Sequence, residues 1–346
     1  MHKPIILRKI CTITLFLFTL FFASASAENL KDENSTGFSG YVQPFIGIGN
    51  FKSLGDVHDE NEKIDSLDQE AKSETEAIPG FFWQAAYLFE NKRTQLHLGT
   101  PKTNVISGNF LFETGVSHEL EGGTVLTAAW IPKIPGLDDE VWKDPYLTGR
   151  AREKTDRKSQ AFSLGAENIF DSSVSLKYSF GTQDIDTEQS GVFLSTKLGS
   201  KLTAADLASL RRSGNVHLVE SKMMVSLGKS FLLQPGLNYM WGDADGDVNS
   251  FNDFGGEITL MFKQPRYEVS ANFSHNLRHY EKSNPVFAKK RDDRVFDTTI
   301  TFAYLKPFGF ENAIISLLAG YSKQNSSIKF YDSQSLITGV GIGYTF

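Results

Sequence analysis

Cysteine is almost absent from the sequence, which contains one such residue, Cys11, among 346. It lies in an N-terminal segment with a basic start, an apolar run at 10–22 and small residues just before position 28. That order is typical of a secretory signal peptide, so we predict a signal peptide over residues 1–27 and a mature domain over residues 28–346. The alternative, an uncleaved anchor, is disfavoured by the shortness of the apolar run. A mature chain without cysteine excludes disulfides, cysteine catalysis and sulfur-ligated metals.

Long apolar runs and an excess of positive charge are also lacking. No run after the signal approaches the ~20 residues that a membrane helix requires. If the mature chain spans a membrane, only a closed barrel remains, because hydrocarbon offers no partners for unpaired backbone groups. The formal charge is −6, and removal of three basic residues with the signal makes it −9. That balance excludes nucleic acid as a partner, since nucleic-acid binding requires clustered lysine and arginine.

What the sequence does contain is a period-two alternation, which is clearest at its end. Residues 335–346 place large apolar or aromatic side chains, among them Val340, Ile342, Tyr344 and Phe346, opposite small ones. Side chains of a strand alternate between its two faces, so one face would meet lipid and the other a lumen. We expect Tyr344 and Phe346 to face lipid at the periplasmic rim. By analogy with barrels in general, we also expect them to mark the last strand for the barrel-assembly machinery.

The same alternation recurs along the mature chain, with short and long connections in turn. It predicts an all-β fold, a transmembrane antiparallel up-and-down β-barrel of about 14 strands, with 12–16 possible. A soluble two-sheet sandwich is the alternative, but its polar face should be heavily charged and its core face should not be ringed with tyrosine and tryptophan. The predicted strands are 37–49, 76–90, 94–100, 107–120, 123–132, 158–169, 173–183, 214–228, 231–243, 250–263, 266–280, 293–305, 313–325 and 335–346.

Several stretches resemble an uncharacterised family of Gram-negative outer-membrane proteins, defined only as a domain of unknown function. They follow one another along most of the mature chain, at 64–76, 144–156, 166–186, 242–257, 284–296 and 316–332. The resemblance implies an outer-membrane β-barrel that is exported through the periplasm. It implies no activity, cofactor or functional residue.

The polar faces of the predicted strands carry more acidic than basic side chains. The candidate lumen-lining residues are Glu113, Glu167, Lys177, Glu220, Lys222, Glu257, Glu268, Arg278 and Asp297. Because barrels widen with strand number, 14 strands are enough for a narrow passage. We therefore predict a porin-like passive channel for small polar or cationic solutes.

Two other functions remain open. One is a structural or surface-interaction barrel closed by its own loops, in which the same charges pair across strands in a packed interior. The other, less favoured, is a membrane-embedded hydrolase. No serine–histidine pair sits in a recognisable motif, and a triad assembled from distant residues leaves no trace in one sequence. We therefore predict that the protein is not an enzyme.

Three long connections carry features of their own. Segment 52–76 is acidic, which favours a solvated loop over a lid. Segment 202–212 predicts a helix with a Thr203–Asp206 cap, which either packs in a loop or narrows the mouth. Segment 243–249 begins like a calcium loop but lacks the glycine and glutamate that the loop requires, so an acidic turn is favoured. Calcium binding there stays open, and no cofactor is predicted.

Two basic segments, 149–158 and 289–294, fall in predicted outer loops. The surface beside a barrel in the outer leaflet is lipopolysaccharide, whose phosphates pair well with arginine and lysine. We expect these segments to contact lipopolysaccharide and outer-membrane lipid.

Overall fold

A computed structural model describes residues 36–100, 112–133, 139–197 and 199–346. The predicted signal peptide and the start of the predicted strand 107–120 lie outside the described residues. Everything stated below refers to the described part of the chain.

The described residues form sixteen β-segments in one antiparallel sheet. They are β1 (Gly37–Ser53), β2 (Ser73–Leu88), β3 (Thr94–Gly99), β4 (Glu113–Glu119), β5 (Val125–Ile131), β6 (Asp139–Trp142), β7 (Lys154–Glu167), β8 (Val174–Ile185), β9 (Gly214–Met223), β10 (Val225–Ser226), β11 (Phe231–Ala244), β12 (Phe251–Gln264), β13 (Tyr267–Asn284), β14 (Lys289–Leu305), β15 (Ala313–Ser326) and β16 (Ser333–Thr345). Two short helices, α1 (Val192–Ser195) and α2 (Ala204–Ser209), lie between β8 and β9.

The sheet closes on itself as a 14-strand barrel. Its first strand pairs with both β2 and β16, and backbone hydrogen bonds between Gly40 and Phe346 complete the seam. Segments β9 and β10 both pair with β11 and form one strand interrupted at Met224, while β6 pairs only with the outer end of β7. The predicted all-β up-and-down barrel of about 14 strands is confirmed.

The two faces of each strand differ in exposure as the alternation predicts. Ile300 on β14 is 48 % exposed, whereas its neighbour Thr299 is 2 % exposed. Similar exposed apolar side chains, such as Ile46, Phe254 and Leu317, occur around the outside of the barrel. Such a belt of apolar side chains on the outer surface is the lipid-facing band of an outer-membrane barrel.

The two ends of the barrel are different. Both ends of the barrel sequence and the short turns lie at one end, as in the two-residue connection between β12 and β13. The long connections lie at the opposite end, which corresponds to the outer side in barrels of this type. The long loop predicted at 281–292 is wrong, because β13 and β14 continue to a turn at 285–288. The apolar alternation ends where lipid ends, but the backbone ladder continues beyond it through pairs such as Asn284 and Lys289.

The inner face of β16 carries small side chains for a steric reason. The ring of Phe45 on β1 points inward and packs with Tyr41 and Phe82 in a small apolar cluster. A Cβ atom on Gly339 would lie 2.1 Å from the Phe45 ring. Glycine on the inner face of β16 therefore makes room for aromatic side chains of β1.

Candidate functional site

The structure places the predicted lumen residues on the inner faces of their strands, in two different environments. Those on β9, β12, β13 and β14 are buried, and those on β4, β7, β8 and at the start of β13 are partly exposed. The buried group is Glu220, Lys222, Glu257, Arg278 and Asp297, and the partly exposed group is Glu113, Glu167, Lys177 and Glu268.

One cluster of buried charges spans three strands. Lys222 Nζ on β9 lies 2.6 Å from Glu257 Oε1 on β12 and 3.7 Å from Glu220 Oε1. The strand between them is β11, where Gly236 is the register partner of both Lys222 and Glu257. Asn272 on β13 also donates a hydrogen bond to Glu257 at 3.1 Å. The buried lysine therefore lies beside two buried carboxylates. Ion pairing and hydrogen bonding of this kind offset the free-energy cost of burying charges.

A second set of charges lies nearer the outer mouth. Arg278 Nε donates to Asp253 Oδ2 at 2.9 Å, and Arg291 Nη2 lies 2.7 Å from Asp293 Oδ2. The Arg291 guanidinium also lies over the rings of Tyr280 and Tyr331, at 4.3 and 3.8 Å from their centroids.

Sequence reasoning missed three residues of this second set, namely Asp253, Asp293 and Arg291. Asp253 has the same parity along β12 as Glu257, so the alternation alone could have found it. Arg291 fell in the predicted connection at 281–292, whereas Asp293 begins the predicted strand 293–305 and has the same parity as Asp297.

The opposite wall is less densely paired. His97 Nε2 on β3 lies 3.3 Å from Glu113 Oε1 on β4. At the border with the buried cluster, Lys177 on β8 is the direct register partner of Glu220 on β9. Inward charges on this wall thus also face groups that complement them.

The outer mouth is covered by long connections that share one hydrophobic core, which we call the loop cap. Its buried residues come from five connections between strands, and the turn between β13 and β14 packs against them. The buried members are Leu54, Ile64, Tyr146, Leu210, Val248, Ile328 and Phe330, with Val286 and Phe287 of the turn beside them. Apolar packing of this kind is the main source of stability in a protein interior, so the loop cap is a folded unit and not a set of separate loops.

Polar side chains tie the backbone of the loop cap together. Arg152 is buried, donates from its guanidinium to the carbonyl oxygens of Leu54, Pro145 and Asn61, and lies 4.3 Å from the centre of the Trp142 ring. Burial lowers the pKa of Arg152 to about 9, against the opposite effect of nearby carboxylates, so its guanidinium stays charged at neutral pH.

Asp144 accepts hydrogen bonds from backbone groups in the loop cap, including those at the start of α1. Its carboxylate accepts hydrogen bonds from the backbone N–H groups of Tyr146, Gly191 and Phe193, each at 3.0 Å. Arg212 similarly donates to both oxygens of Glu188 and to the carbonyl oxygen of Trp142. These bonds satisfy loop backbone groups that would otherwise be buried without partners.

A tyrosine pair joins two distant connections at the centre of the loop cap. The hydroxyls of Tyr146 and Tyr331 are 2.7 Å apart, and Asn284 Nδ2 donates to both. Burial raises the pKa of both tyrosine hydroxyls above the ordinary value, so both are neutral at physiological pH.

Two expectations for the long connections change in the light of the loop cap. The solvated-loop interpretation of 52–76 is wrong for its apolar residues, because Leu54 and Ile64 are buried in the shared core. Their burial depends on contacts with other loops, which the acidic composition does not reveal. The helix predicted over 202–212 is confirmed as α2, with the Thr203–Asp206 capping box, and Leu210 anchors it in the loop cap.

The 243–249 segment also serves packing. Val248 is buried in the loop cap, and Asn249 Nδ2 donates to the carbonyl oxygens of Leu210 and Arg211. In the part of the chain that the structure describes, no group of three acidic, histidine or cysteine side chains is placed to hold a metal ion.

A cavity of about 190 Å³ lies where the loop cap meets the lumen. Cap residues such as Tyr146 and Phe330 and strand residues such as Met240 and Tyr280 line it together. Four arginines also line it, and each forms an ion pair with a carboxylate. The pairs are Arg157–Asp139, Arg212–Glu188, Arg278–Asp253 and Arg291–Asp293.

Three other histidines have partners of other kinds. His118 Nδ1 lies 2.9 Å from Thr94 Oγ1, His217 Nδ1 lies 2.8 Å from Tyr178 Oη, and His279 Nδ1 lies 2.8 Å from Asp292 Oδ1. None of these pairs is the serine–histidine pair of a hydrolase triad.

The predicted assembly signal and the basic segments can also be located. Tyr344 and Phe346 are exposed on the outer face at the end that carries the short turns. In segment 149–158, Arg152 and Arg157 are buried in internal contacts and are not available to lipid. Segment 289–294 is the start of β14 and not an outer loop.

No helix among the described residues is long and apolar enough to cross a membrane.

A comparison with protein families matches residues 37–345 to "Protein of unknown function (DUF2860)". The chain belongs to this family. The predicted membership of an uncharacterised outer-membrane barrel family is thus confirmed. A search of curated proteins found no match.

The DUF2860 chain is also similar to solved outer-membrane proteins. OmpT, an outer membrane protein of Vibrio cholerae, is 10 % identical, with a TM-score of 0.41 over 91 % of this chain and 98 % of that one. A Pseudomonas aeruginosa FadL homologue is 11 % identical, with a TM-score of 0.41 over 89 % and 90 %. The outer membrane channel DcaP of Acinetobacter baumannii is 10 % identical, with a TM-score of 0.40 over 90 % and 98 %. Likenesses at this level assign no function to the chain.

Proposed function

We propose that the protein is a channel of the Gram-negative outer membrane for small polar solutes, closed at its outer mouth by the loop cap in the conformation described. The observation that carries this proposal is the cavity between the loop cap and the lumen, whose lining includes charged and hydroxyl side chains. A barrel that served only as a scaffold would have no need of a cavity lined by four arginines and several tyrosines at the end of its lumen. The charged and hydroxyl groups of that lining can form hydrogen bonds with a polar solute.

The proposal includes a modest preference for cations. The predicted lumen residues comprise six acids and three bases, and most of the bases are held in ion pairs. The acids that remain partly exposed, Glu113, Glu167 and Glu268, are therefore the groups that would act on a passing ion. We propose no enzymatic activity.

The proposal also concerns the export of the protein, its assembly into the membrane and its contacts with lipopolysaccharide. Export through the periplasm follows from the predicted signal peptide at 1–27. Tyr344 and Phe346 would be read by the barrel-assembly machinery. Exposed basic residues of the outer end, such as Arg150, would contact lipopolysaccharide phosphates.

A second candidate is a structural or surface-interaction barrel that stays closed. The observation that favours it is the loop cap itself, in which connections from around the mouth share one buried core. The two candidates differ in whether the loop cap opens while the barrel remains folded.

A reversible disulfide bond across the loop cap distinguishes the two candidate functions. Lys63 and Ala151 form an isolated antiparallel bridge between two connections, so their Cβ atoms face each other at close to disulfide distance. Because the predicted mature chain has no cysteine, the double variant Lys63→Cys/Ala151→Cys would carry the only two thiols.

Single-channel conductance in a planar bilayer is the measurement. We expect discrete steps from the wild type, few or none from the oxidised double variant, and steps again after reduction. Each single variant is a control for the substitutions. Equal conductance of the oxidised and reduced forms would contradict a role of the loop cap in closure, and a silent wild type would favour the second candidate.

A further inference from the structure

The outer face of the barrel carries two cationic side chains that neither the loop cap nor the lumen uses. Arg294 on β14 and Lys323 on β15 are exposed and share the parity of lipid-facing residues such as Phe296 and Leu317. In the part of the chain that the structure describes, neither side chain has an ion-pair or hydrogen-bond partner. Both charges are therefore available to a partner outside the chain.

The outward cations of another strand are arranged differently. On β7, Lys158 Nζ lies 2.5 Å from Asp186 Oδ2, and Lys154 Nζ lies 3.3 Å from Asp59 Oδ1. Carboxylates of the protein thus neutralise the outward lysines of β7 but not the two cations of β14 and β15. An unpaired cation is ordinary in water, so the depth of these two in the membrane decides whether they have a function.

The depth of the two unpaired cations follows from the length of their strands. A tilted strand crosses the hydrocarbon in about 9–11 residues. Arg294 lies ten positions from Tyr304 near the inner end of β14, and Lys323 lies ten positions from Ala313 at the inner end of β15. Exposed apolar side chains such as Ile300 lie in between. Arg294 and Lys323 therefore mark the outer edge of the apolar band, at the level of the lipid headgroups.

The two cations are close enough to hold one anionic group. The register of β14 and β15 pairs Arg294 with Asn325 and Phe296 with Lys323, so the cations are diagonal neighbours on adjacent strands. Diagonal positions of an antiparallel pair are about 7–8 Å apart, a separation that arginine and lysine side chains bridge. The ring of Phe296, which is 39 % exposed, lies beside them on the same face. An anionic group with attached apolar chains matches this surface.

From this arrangement we propose that the outer face of β14 and β15 binds lipopolysaccharide through a phosphate group of lipid A, its membrane anchor. The planar guanidinium of Arg294 binds phosphate oxygens in pairs, and Lys323 adds a point charge. The acyl chains lie along the apolar band beside Phe296. The end of the barrel with the long connections faces the outer leaflet, which favours lipopolysaccharide over a phospholipid of the inner leaflet. This inference rests on the proposed outer-membrane location and names one binding site for the lipid.

Lipid binding is measured by native mass spectrometry of the purified barrel in a non-ionic detergent. The probes are lipid A with both phosphates, the same lipid A without phosphates, dioleoylphosphatidylglycerol and inorganic pyrophosphate. We expect saturable binding of phosphorylated lipid A, at least about tenfold tighter than binding of the dephosphorylated form, which is the effect of one charge-assisted hydrogen bond.

Three results with the wild type would overturn the proposal. Equal binding of the two forms of lipid A would show that phosphate is not recognised. Phosphatidylglycerol that binds as tightly as lipid A would contradict the choice of lipopolysaccharide. Pyrophosphate that binds as tightly as lipid A would make the ligand a free phosphate compound and not a lipid.

Two double variants locate the site. Arg294→Gln/Lys323→Gln removes both cations and should weaken binding of phosphorylated lipid A about tenfold or more. Lys154→Gln/Lys158→Gln is the control, because it removes two positive charges from β7 that carboxylates already neutralise, and it should bind like the wild type. The same loss in both variants would indicate a general attraction to the barrel surface. That result, or unchanged binding by the β14–β15 variant, would contradict the site.

Heat modifiability in electrophoresis checks that both variants fold as barrels. If the β14–β15 variant does not fold, the comparison of phosphorylated and dephosphorylated lipid A on the wild type still tests the proposal. Membrane fractionation of cells tests the location separately. A barrel that reaches the outer membrane but binds no lipid A would refute only the site, whereas a barrel absent from the outer membrane would refute the location on which the site rests.

Discussion

Lys222 and Glu257 belong to strands that do not pair with each other, and yet their charged atoms lie 2.6 Å apart. The residue between them on β11 is Gly236, which is the register partner of both. A Cβ atom there would lie 3.0 Å from Glu257 Cγ and 3.1 Å from Lys222 Cγ. A missing side chain thus allows a buried ion pair to form across an intervening strand.

Gly236→Val should therefore force this ion pair apart. The branched side chain overpacks the lumen side of the wall, at an expected cost of about 1–3 kcal/mol in the free energy of unfolding. Gly256→Val is the control, because a Cβ there meets only ordinary contacts at 3.7 Å on the outer face. Urea titration of refolded barrels in lipid vesicles gives both values, and equal stability of the two variants would contradict the steric role of Gly236.

The sequence allowed the barrel wall to be predicted because its signal is local. Inward and outward side chains alternate along every strand, so the lipid-facing Ile300 and the inward Asp297 could be assigned from parity alone. The loop cap could not be predicted in this way. Ile64 and Phe330 are 266 positions apart in the chain, and nothing in the periodicity around either residue indicates that they share a core.

The candidate site, too, could be predicted only where its residues lie on regular strands. Glu257 was found because its strand alternates, and Asp253 could have been found by the same rule. The Arg212–Glu188 pair could not, since both residues lie in an irregular connection with no fixed register. The cavity under the loop cap is a product of packing between loops and strands, which composition and spacing do not specify.

Phe330→Ala should loosen the loop cap while the barrel stays closed. Phe330 is fully buried among cap residues, and removal of such a ring from a core costs about 3–5 kcal/mol. Hydrogen exchange should accelerate in the connections at 54–72 and 143–153, with little change in β12–β16. Phe308→Ala is the control, because Phe308 lies exposed in a short turn at the opposite end. Unchanged exchange in the connections would contradict a shared core.

The tyrosine pair predicts a loss of cap stability at high pH. An unfolded tyrosine loses its proton near pH 10, whereas burial holds the pKa of Tyr146 and Tyr331 higher in the folded cap. Above pH 10 the folded state therefore binds more protons than the unfolded state, so cap stability is complete below that pH and falls as the pH rises.

Absorbance at 295 nm follows the ionisation of these tyrosines during an alkaline titration. The late part of the wild-type titration should shrink in the double variant Tyr146→Phe/Tyr331→Phe. Since a phenylalanine cannot ionise, that variant should also keep its loop cap to higher pH if the barrel folds normally. Identical titrations of the two proteins would show that neither hydroxyl is shielded.

Ile300→Arg tests the assignment of the lipid face. Ile300 is exposed on the outer face near the middle of the strand wall, where an arginine in contact with lipid costs about 2–4 kcal/mol. Phe308→Arg, in the exposed turn that follows the same strand, should cost far less because the guanidinium stays in water. Refolding titrations in lipid vesicles compare the two, and similar losses would mean that β14 is assigned to the wrong face.

Ion selectivity should depend on the partly exposed acids and not on the buried ones. Glu113, Glu167 and Glu268 lie where water reaches them, so their charges act on ions in the lumen, whereas Glu257 is neutralised by Lys222 at 2.6 Å. Replacing the three exposed glutamates with glutamine should move the reversal potential in a salt gradient toward zero without abolishing conductance, as expected when carboxylates that attract cations are removed. Glu257→Gln alone should change the reversal potential little, because Lys222 already neutralises Glu257. Any change should favour anions, because Lys222 then loses the carboxylate of Glu257.

Because charges in an aqueous lumen are screened over about 8 Å at physiological ionic strength, the effect of the triple variant should also shrink at high salt. A wild-type channel that prefers anions would contradict this assignment of the lumen charges.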